Sequence, residues 1–257
     1  MIFHSSRSGQ TTSWQSWTYL TLFVATALFL GGCASMSTTS SGPYHVDAYA
    51  PVQPKNVKVY VSLNAEIVYV MEGDTCLLAT PITVGTPQNP TPTGNFKVTE
   101  KNPTKRSGEY GFWVNGATAV SGDAGKPPGP GYSYVGYPMA NWVGFAPGFG
   151  FHEGYVWPIP HSHGCLRINK NASAKFFQLV QVGTPVIIAR SLPEDTTIGK
   201  NVVHPTDYKD PDPPAAELIS PNYFTEPRDR QLLPPVGTAA ATTSTAAAPA
   251  AGAAAAQ

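Results

Sequence analysis

A thiol and two imidazoles fall close together in this chain. Ser162-His163-Gly164-Cys165 is followed by Leu166-Arg167, and another histidine lies upstream in Gly150-Phe151-His152-Glu153-Gly154. An ordinary thiol, with a pKa of about 8.5, is only a few per cent thiolate at neutral pH and needs a base or a cationic partner. His163 can supply that base from the cysteine's own turn, and His152 from a separate loop. Gly164 permits a tight turn and lets backbone N–H groups point inward, as an oxyanion hole requires. The chemistry these residue types suggest is acyl transfer through a thioester on Cys165. His161, between Pro160 and Ser162, reads as peripheral.

Two other uses of the same atoms compete. His152, His161, His163 and Cys165 offer nitrogen and sulfur ligands of the kind zinc takes. Yet His-x-His-x-Cys without a second cysteine pair fits no common structural zinc spacing, and ligand type alone constrains a site weakly. A Cys76–Cys165 disulfide is the other alternative. Cys76, however, lies in a strand-like run where a small buried apolar residue fits, and Cys165 stands in a motif that needs a free thiol.

Bulk composition narrows the class. The 257 residues carry 16 basic and 16 acidic side chains, and only 12% are charged, which removes any electrostatic case for nucleic-acid binding. With 26 prolines and 24 glycines the chain favours turns and short strands over a helical bundle. The expectation is a mainly β fold with flexible N- and C-terminal segments.

Those elements begin after an export segment. Trp17 to Leu30 is an uncharged apolar run of 14 residues, short for a membrane span and right for a signal peptide. It ends in Leu30-Gly31-Gly32-Cys33, which resembles a bacterial lipobox, so residues 1–33 read as a lipoprotein signal with Cys33 as the lipidation site. An extracytoplasmic, lipid-anchored location follows, on the periplasmic face of a cell envelope. Residues 34–55 read as a linker whose 22 residues could span up to roughly 75 Å.

A folded region over 56–190 comes next. Val57–Leu63, Glu66–Met71, Thr75–Val84 and Phe96–Glu100 read as strands of a meander, separated by turns at Asn64-Ala65 and Glu72-Gly73-Asp74. Residues 101–151, rich in Gly, Pro and aromatics, read as long loops, a feature that is usually functional in a compact domain. A helix is expected to start at Asn171-Ala172-Ser173, with Phe176, Phe177, Leu179 and Val180 at helical spacing, and to stop at Gly183. Pro185–Ile188 then reads as a closing strand. Residues 191–236 form a Pro-rich extension in which Leu218-Ile219 and Tyr223-Phe224 are candidates to pack back onto the domain. The Ala/Thr/Pro tail from Gly237 is too poor in large apolar residues to build a core and is expected to be disordered.

Four motifs in order resemble the L,D-transpeptidase (YkuD-type) catalytic domain family. They are Thr91-Pro92-Thr93-Gly94-Asn95-Phe96, Phe151-His152-Glu153-Gly154, the Ser162–Arg167 signature and Val182-Gly183-Thr184-Pro185-Val186. The resemblance covers about residues 57–190. It implies a β-sandwich with a short helix after the catalytic cysteine, acting on peptidoglycan stem peptides without metal or organic cofactor. Cys165 would be the nucleophile, with His163 or His152 as its base. The family's usual pattern is taken to favour the signature histidine, the upstream one lining the site. Gly164 would shape the oxyanion hole; Arg167, Ser162 and Trp142 would serve substrate binding, Arg167 by pairing with a carboxylate. The thioester would pass to the amine of a neighbouring stem as a 3→3 cross-link with release of D-alanine. Water as acceptor would make an L,D-carboxypeptidase, and a protein lysine would give wall attachment. A non-catalytic wall-binding lipoprotein is the alternative from another class. One departure is visible: nine residues separate His152 from Ser162, fewer than the family usually shows.

Overall fold

The structure, a computed structural model, describes residues 46–205 and 213–237. The expected export segment, Cys33, the first part of the linker and the tail beyond Gly237 lie outside the described residues. All described residues fall within the unit Ser41–Gln257.

The alternating runs form strands as the pattern predicts. β1 (Val57–Ser62), β2 (Ile67–Glu72) and β3 (Thr75–Thr83) make an antiparallel meander, followed by β4 (Gly94–Lys97). Then come β5 (Glu100–Asn115), β6 (Thr118–Asp123), β7 (Ser133–Ala146), β8 (Phe149–Glu153) and β9 (Leu166–Ile168). Helix α1 (Lys170–Leu179) and β10 (Pro185–Ala189) close the family-like region, and a short helix α2 (Ala215–Ile219) lies in the extension. Strand order is β4-β10-β1-β2-β3-β9-β8-β7-β5-β6. β3 joins the two halves: its length pairs with β2, and its end, at Ile82 and Thr83, pairs with β9.

One buried cluster draws from both halves, taking Val57, Val59 and Val61 from β1 and Val143, Phe145, Phe151, Leu166 and Ile168 from β7–β9. Phe96 of β4 meets Phe145 of β7 at 5.3 Å between ring centroids, although these strands lie far apart in the ladder. That cross-contact is what makes the sheet a sandwich. Helix α1 covers one side through Phe176, whose ring lies 4.8 Å from that of Phe151. It starts one turn-position earlier than expected, because Asn169 is the N-cap: its side chain accepts from the Asn171 N–H at 2.9 Å.

The main correction concerns residues 101–151. They are not loops but mostly strands, with β5 and β7 running 16 and 14 residues. Gly116, Gly131 and Gly148 do make the connecting turns, at φ +57°, +82° and +77°, whereas the strand glycines serve close backbone approach. At the register shift between Arg106 and Gly111, a Cβ on Gly136 would sit 2.0 Å from the Ser107 carbonyl oxygen, and one on Gly111 2.3 Å from that of Val135. The prolines are tolerated because Pro103 lies on the part of β5 that β6 leaves uncovered, and Pro138 on the part of β7 beyond its pairing with β8.

The chain on either side of this domain also packs. Val46 and Ala48 are buried, and Tyr49 bridges Leu233. Leu218 is buried as well, so the Leu218-Ile219 segment does return to the domain. Among the described residues no helix is long and apolar enough to cross a membrane.

Candidate active site

The site grows from the parallel pairing of β8 and β9, in which Phe151 faces Leu166 and His152 faces Arg167. Phe151 and Leu166 point into the core with no exposed surface. Strand alternation therefore sends His152 and Arg167 to the opposite face, together with Cys165 one step before β9 beside Gly150. The two halves of the expected chemistry, separated by a loop in sequence, become neighbours on one surface.

Cys165 is a free, half-buried thiol, and so is Cys76. Its Sγ lies 3.5 Å from the Gly148 carbonyl oxygen, an acceptor for the S–H. Burial pushes the thiol up from its ordinary value; a Gly150 backbone N–H, then the charges of Arg167 and Lys105, pull it partly back. The thiol is thus neutral at rest, with an N–H ready to receive the thiolate. It needs a base.

His152, on the adjacent strand, has the features such a group requires. It is buried, and its Nδ1 donates to the Glu153 carbonyl oxygen at 2.7 Å, which leaves Nε2 as the acceptor. Burial, then the nearby Arg167 charge, pushes its pKa down to about 4, so the ring is neutral at physiological pH. Trp142, only 3% exposed, stacks over it at 6.2 Å between centroids and donates its indole N–H to Glu100 at 2.6 Å. Lys105 lies 4.0 Å above the same indole ring. A Cβ on Gly150 would meet Trp142 at 2.6 Å, so glycine there is what lets the indole settle. What Trp142 offers the site is support for the imidazole.

His163 is exposed and stacks on Tyr110 of β5, 4.4 Å between centroids at 17°. His161 is exposed too and stacks on Trp157 at 4.0 Å. Among the described residues, no three His, Cys, Asp or Glu side chains are grouped to hold a metal ion.

The cysteine's turn is fixed by hydrogen bonds. Ser162 is buried; its hydroxyl donates to the Cys165 carbonyl at 2.6 Å and accepts from the Gly164 N–H at 3.0 Å. Gly164 has φ +106°, and a Cβ there would sit 2.5 Å from the Phe149 ring. Glycine shapes the turn, while its N–H is held by Ser162. Thr91 is a residue that sequence reasoning left without a role. Its buried hydroxyl accepts from the Gly85 N–H at 3.0 Å and donates to the Gly164 carbonyl at 2.8 Å, so the Thr-Pro-Thr-Gly segment braces the Cys165 turn. Thr91→Val keeps the shape and orphans both partners. We expect a loss of about 1–3 kcal/mol in urea unfolding.

A profile of the YkuD L,D-transpeptidase catalytic domain matches residues 56–188, just over half the chain. The chain belongs to that family. Residues 56–188 are therefore an L,D-transpeptidase catalytic domain. Among solved structures it is similar to an L,D-transpeptidase from Mycobacterium smegmatis, at 22% identity and TM-score 0.40 over 52% of this chain and 58% of that one. It is also similar to one from Stackebrandtia nassauensis, at 19% and 0.39 over 57% and 60%. These matches span less than two thirds of either chain. The isolated catalytic domain of the E. faecium L,D-transpeptidase is covered to 98%, at 22% identity and TM-score 0.38 over 52% of this chain. Among curated proteins none matches.

Proposed function

We propose that this chain is a cysteine L,D-transpeptidase that joins peptidoglycan stem peptides through a thioester on Cys165, with His152 as the base. The observation that carries the reading is the placement of Cys165 and His152 on one face of β8–β9, the imidazole held with Nε2 bare. In the first half-reaction the Cys165 sulfur attacks the carbonyl at the L-centre of the donor's diamino acid. The thiol proton passes to His152 Nε2 and from there to the departing nitrogen, so the C–N bond breaks and D-alanine leaves as a neutral amine. In the second, the side-chain amine of a neighbouring stem attacks the thioester. The amide forms, the C–S bond breaks, and His152 returns the amine's proton to sulfur. Arg167, paired with His152 across the strands, is the guanidinium that would take a substrate carboxylate. His163, exposed and stacked on Tyr110, would supply a contact to substrate.

The export segment suggests an enzyme tethered by lipid at Cys33 to an envelope membrane. Val46 is already buried, so residues 34–45, if fully extended, would reach at most roughly 45 Å. The test is incubation of the purified protein with disaccharide tetrapeptides and mass analysis of the products. A cross-linked dimer with release of one alanine supports the reading. Loss of alanine alone would mark water as the acceptor, and an unchanged donor would mark a non-catalytic binding protein.

A further inference from the structure

Beyond the matched domain, residues 213–233 form a strap that crosses the back of the site. Arg106 of β5 holds its start, donating to the carbonyls of Leu218 at 2.8 Å and Ser220 at 2.9 Å. Lys170 and Lys175 of α1 pair with Glu226 and Asp229. The strap ends in mutual hydrogen bonds between Leu233 and the 48–50 segment, at 2.7 and 2.8 Å.

At its centre Arg228 grips Glu153, the residue directly after His152. Nε donates to Oε2 at 2.6 Å and the terminal NH2 group to Oε1 at 3.0 Å, and both side chains are 4% exposed. The Tyr223 hydroxyl donates to the same carboxylate at 3.2 Å, and Ser173 reaches it at 3.4 Å. Arg228 in turn donates to the Glu226 carbonyl at 2.9 Å, so the guanidinium is fixed at both ends. A carboxylate this buried needs its cation, because removing one partner of a buried pair leaves an uncompensated charge.

The main chain of Glu153 matters as much as its side chain. Its carbonyl accepts from His152 Nδ1, and the N–H across the same peptide unit, that of Gly154, donates to Ile168 at 2.9 Å. That rigid peptide plane is pinned by β9 on one edge and orients the imidazole on the other. We infer that Arg228 is a positioning residue for His152: by clamping Glu153 from the strap, it holds the peptide that fixes the imidazole's tautomer and aim. The matched catalytic domain, 56–188, thus lacks part of what arranges its own histidine. The inference rests on the proposed role of His152, but the ring's state can be read without any turnover.

The test uses the full-length chain with ring-15N histidine. In the parent, His152 shows a protonated Nδ1 and a bare Nε2. In Arg228→Met the two nitrogens move toward tautomer averaging. D-alanine release falls by roughly a hundredfold, as expected for a misaimed base. The loss is in kcat, with KM within about threefold, because a transition-state contact rather than binding is damaged. Arg228→Lys restores part of both signals. If Arg228→Met does not fold, the double variant Glu153→Gln/Arg228→Met removes the lone buried charge and carries the same expectations. A folded variant of either kind whose His152 signals and turnover match the parent overturns the inference. If the parent releases no D-alanine and yet its ring signals respond to Arg228→Met, the strap inference holds and the transpeptidase reading falls.

Discussion

Cys165→Ala loses covalent labelling by a carbapenem and stops releasing D-alanine, while the protein stays folded. Removal of a covalent nucleophile lowers turnover on the order of a million-fold, to whatever the remaining site achieves by binding alone. The fold should tolerate the change. Cys165 is half-buried, its S–H makes only a long contact with Gly148, and the turn around it is held by Ser162 and Thr91. We expect a stability change of about 1 kcal/mol or less, seen as an unaltered unfolding transition. Cys76 supplies no substitute: it lies on β3 against Met71 of β2, not on β8–β9 beside His152. A stoichiometric adduct persisting in Cys165→Ala would place the chemistry elsewhere.

The second large effect separates the two histidines. His152→Asn removes the buried base, and acylation should slow by about a hundredfold to ten-thousandfold. His163→Ala removes an exposed ring whose partner is Tyr110; its effect should be less than about tenfold and should fall on KM, as for a substrate contact. The pH profile distinguishes them further. Burial, then Arg167, holds His152 at about 4 in the folded protein, so the acid limb of kcat/KM should rise through about pH 4 and be level by neutrality. The sign follows from the base's need to be unprotonated: below its pKa the ring carries a proton and cannot accept the thiol's. Arg167→Met removes a charge that disfavours the imidazolium, so the limb should move upward toward neutrality. An acid limb that His163→Ala abolishes and His152→Asn leaves in place would assign the role to His163 instead.

Much of the fold was legible because its first half follows simple patterns. Val57, Val59 and Val61 alternate inward on β1, and the turns after them carry Asn64 and Gly73. The Ser162–Arg167 signature and His152 were visible as chemistry before their contact was known. Residues 101–151 misled because Gly, Pro and aromatic residues signal turns when read locally. In β5 and β7 the same residues answer to a partner strand, as Gly111 and Gly136 do where the backbones close together. What distinguishes the two histidines was also hidden, since burial and the Nδ1 partner depend on strands that meet only in the fold. Arg228 and Glu153 are 75 residues apart, and each reads in isolation as an ordinary surface charge. Thr91 likewise meets Gly164 across 73 residues, and a spacing of that size carries no local signal.

Intact-mass analysis of the full-length chain mixed with a tetrapeptide donor, followed by peptide mapping, tests the acyl-enzyme most directly. The chain should gain the mass of the donor less D-alanine, on the peptide containing Cys165, and lose it again when an acceptor amine is added. A donor consumed with no such adduct at any time point in either the parent or a slowed His152→Asn variant, or an adduct mapped to another residue, would contradict the account.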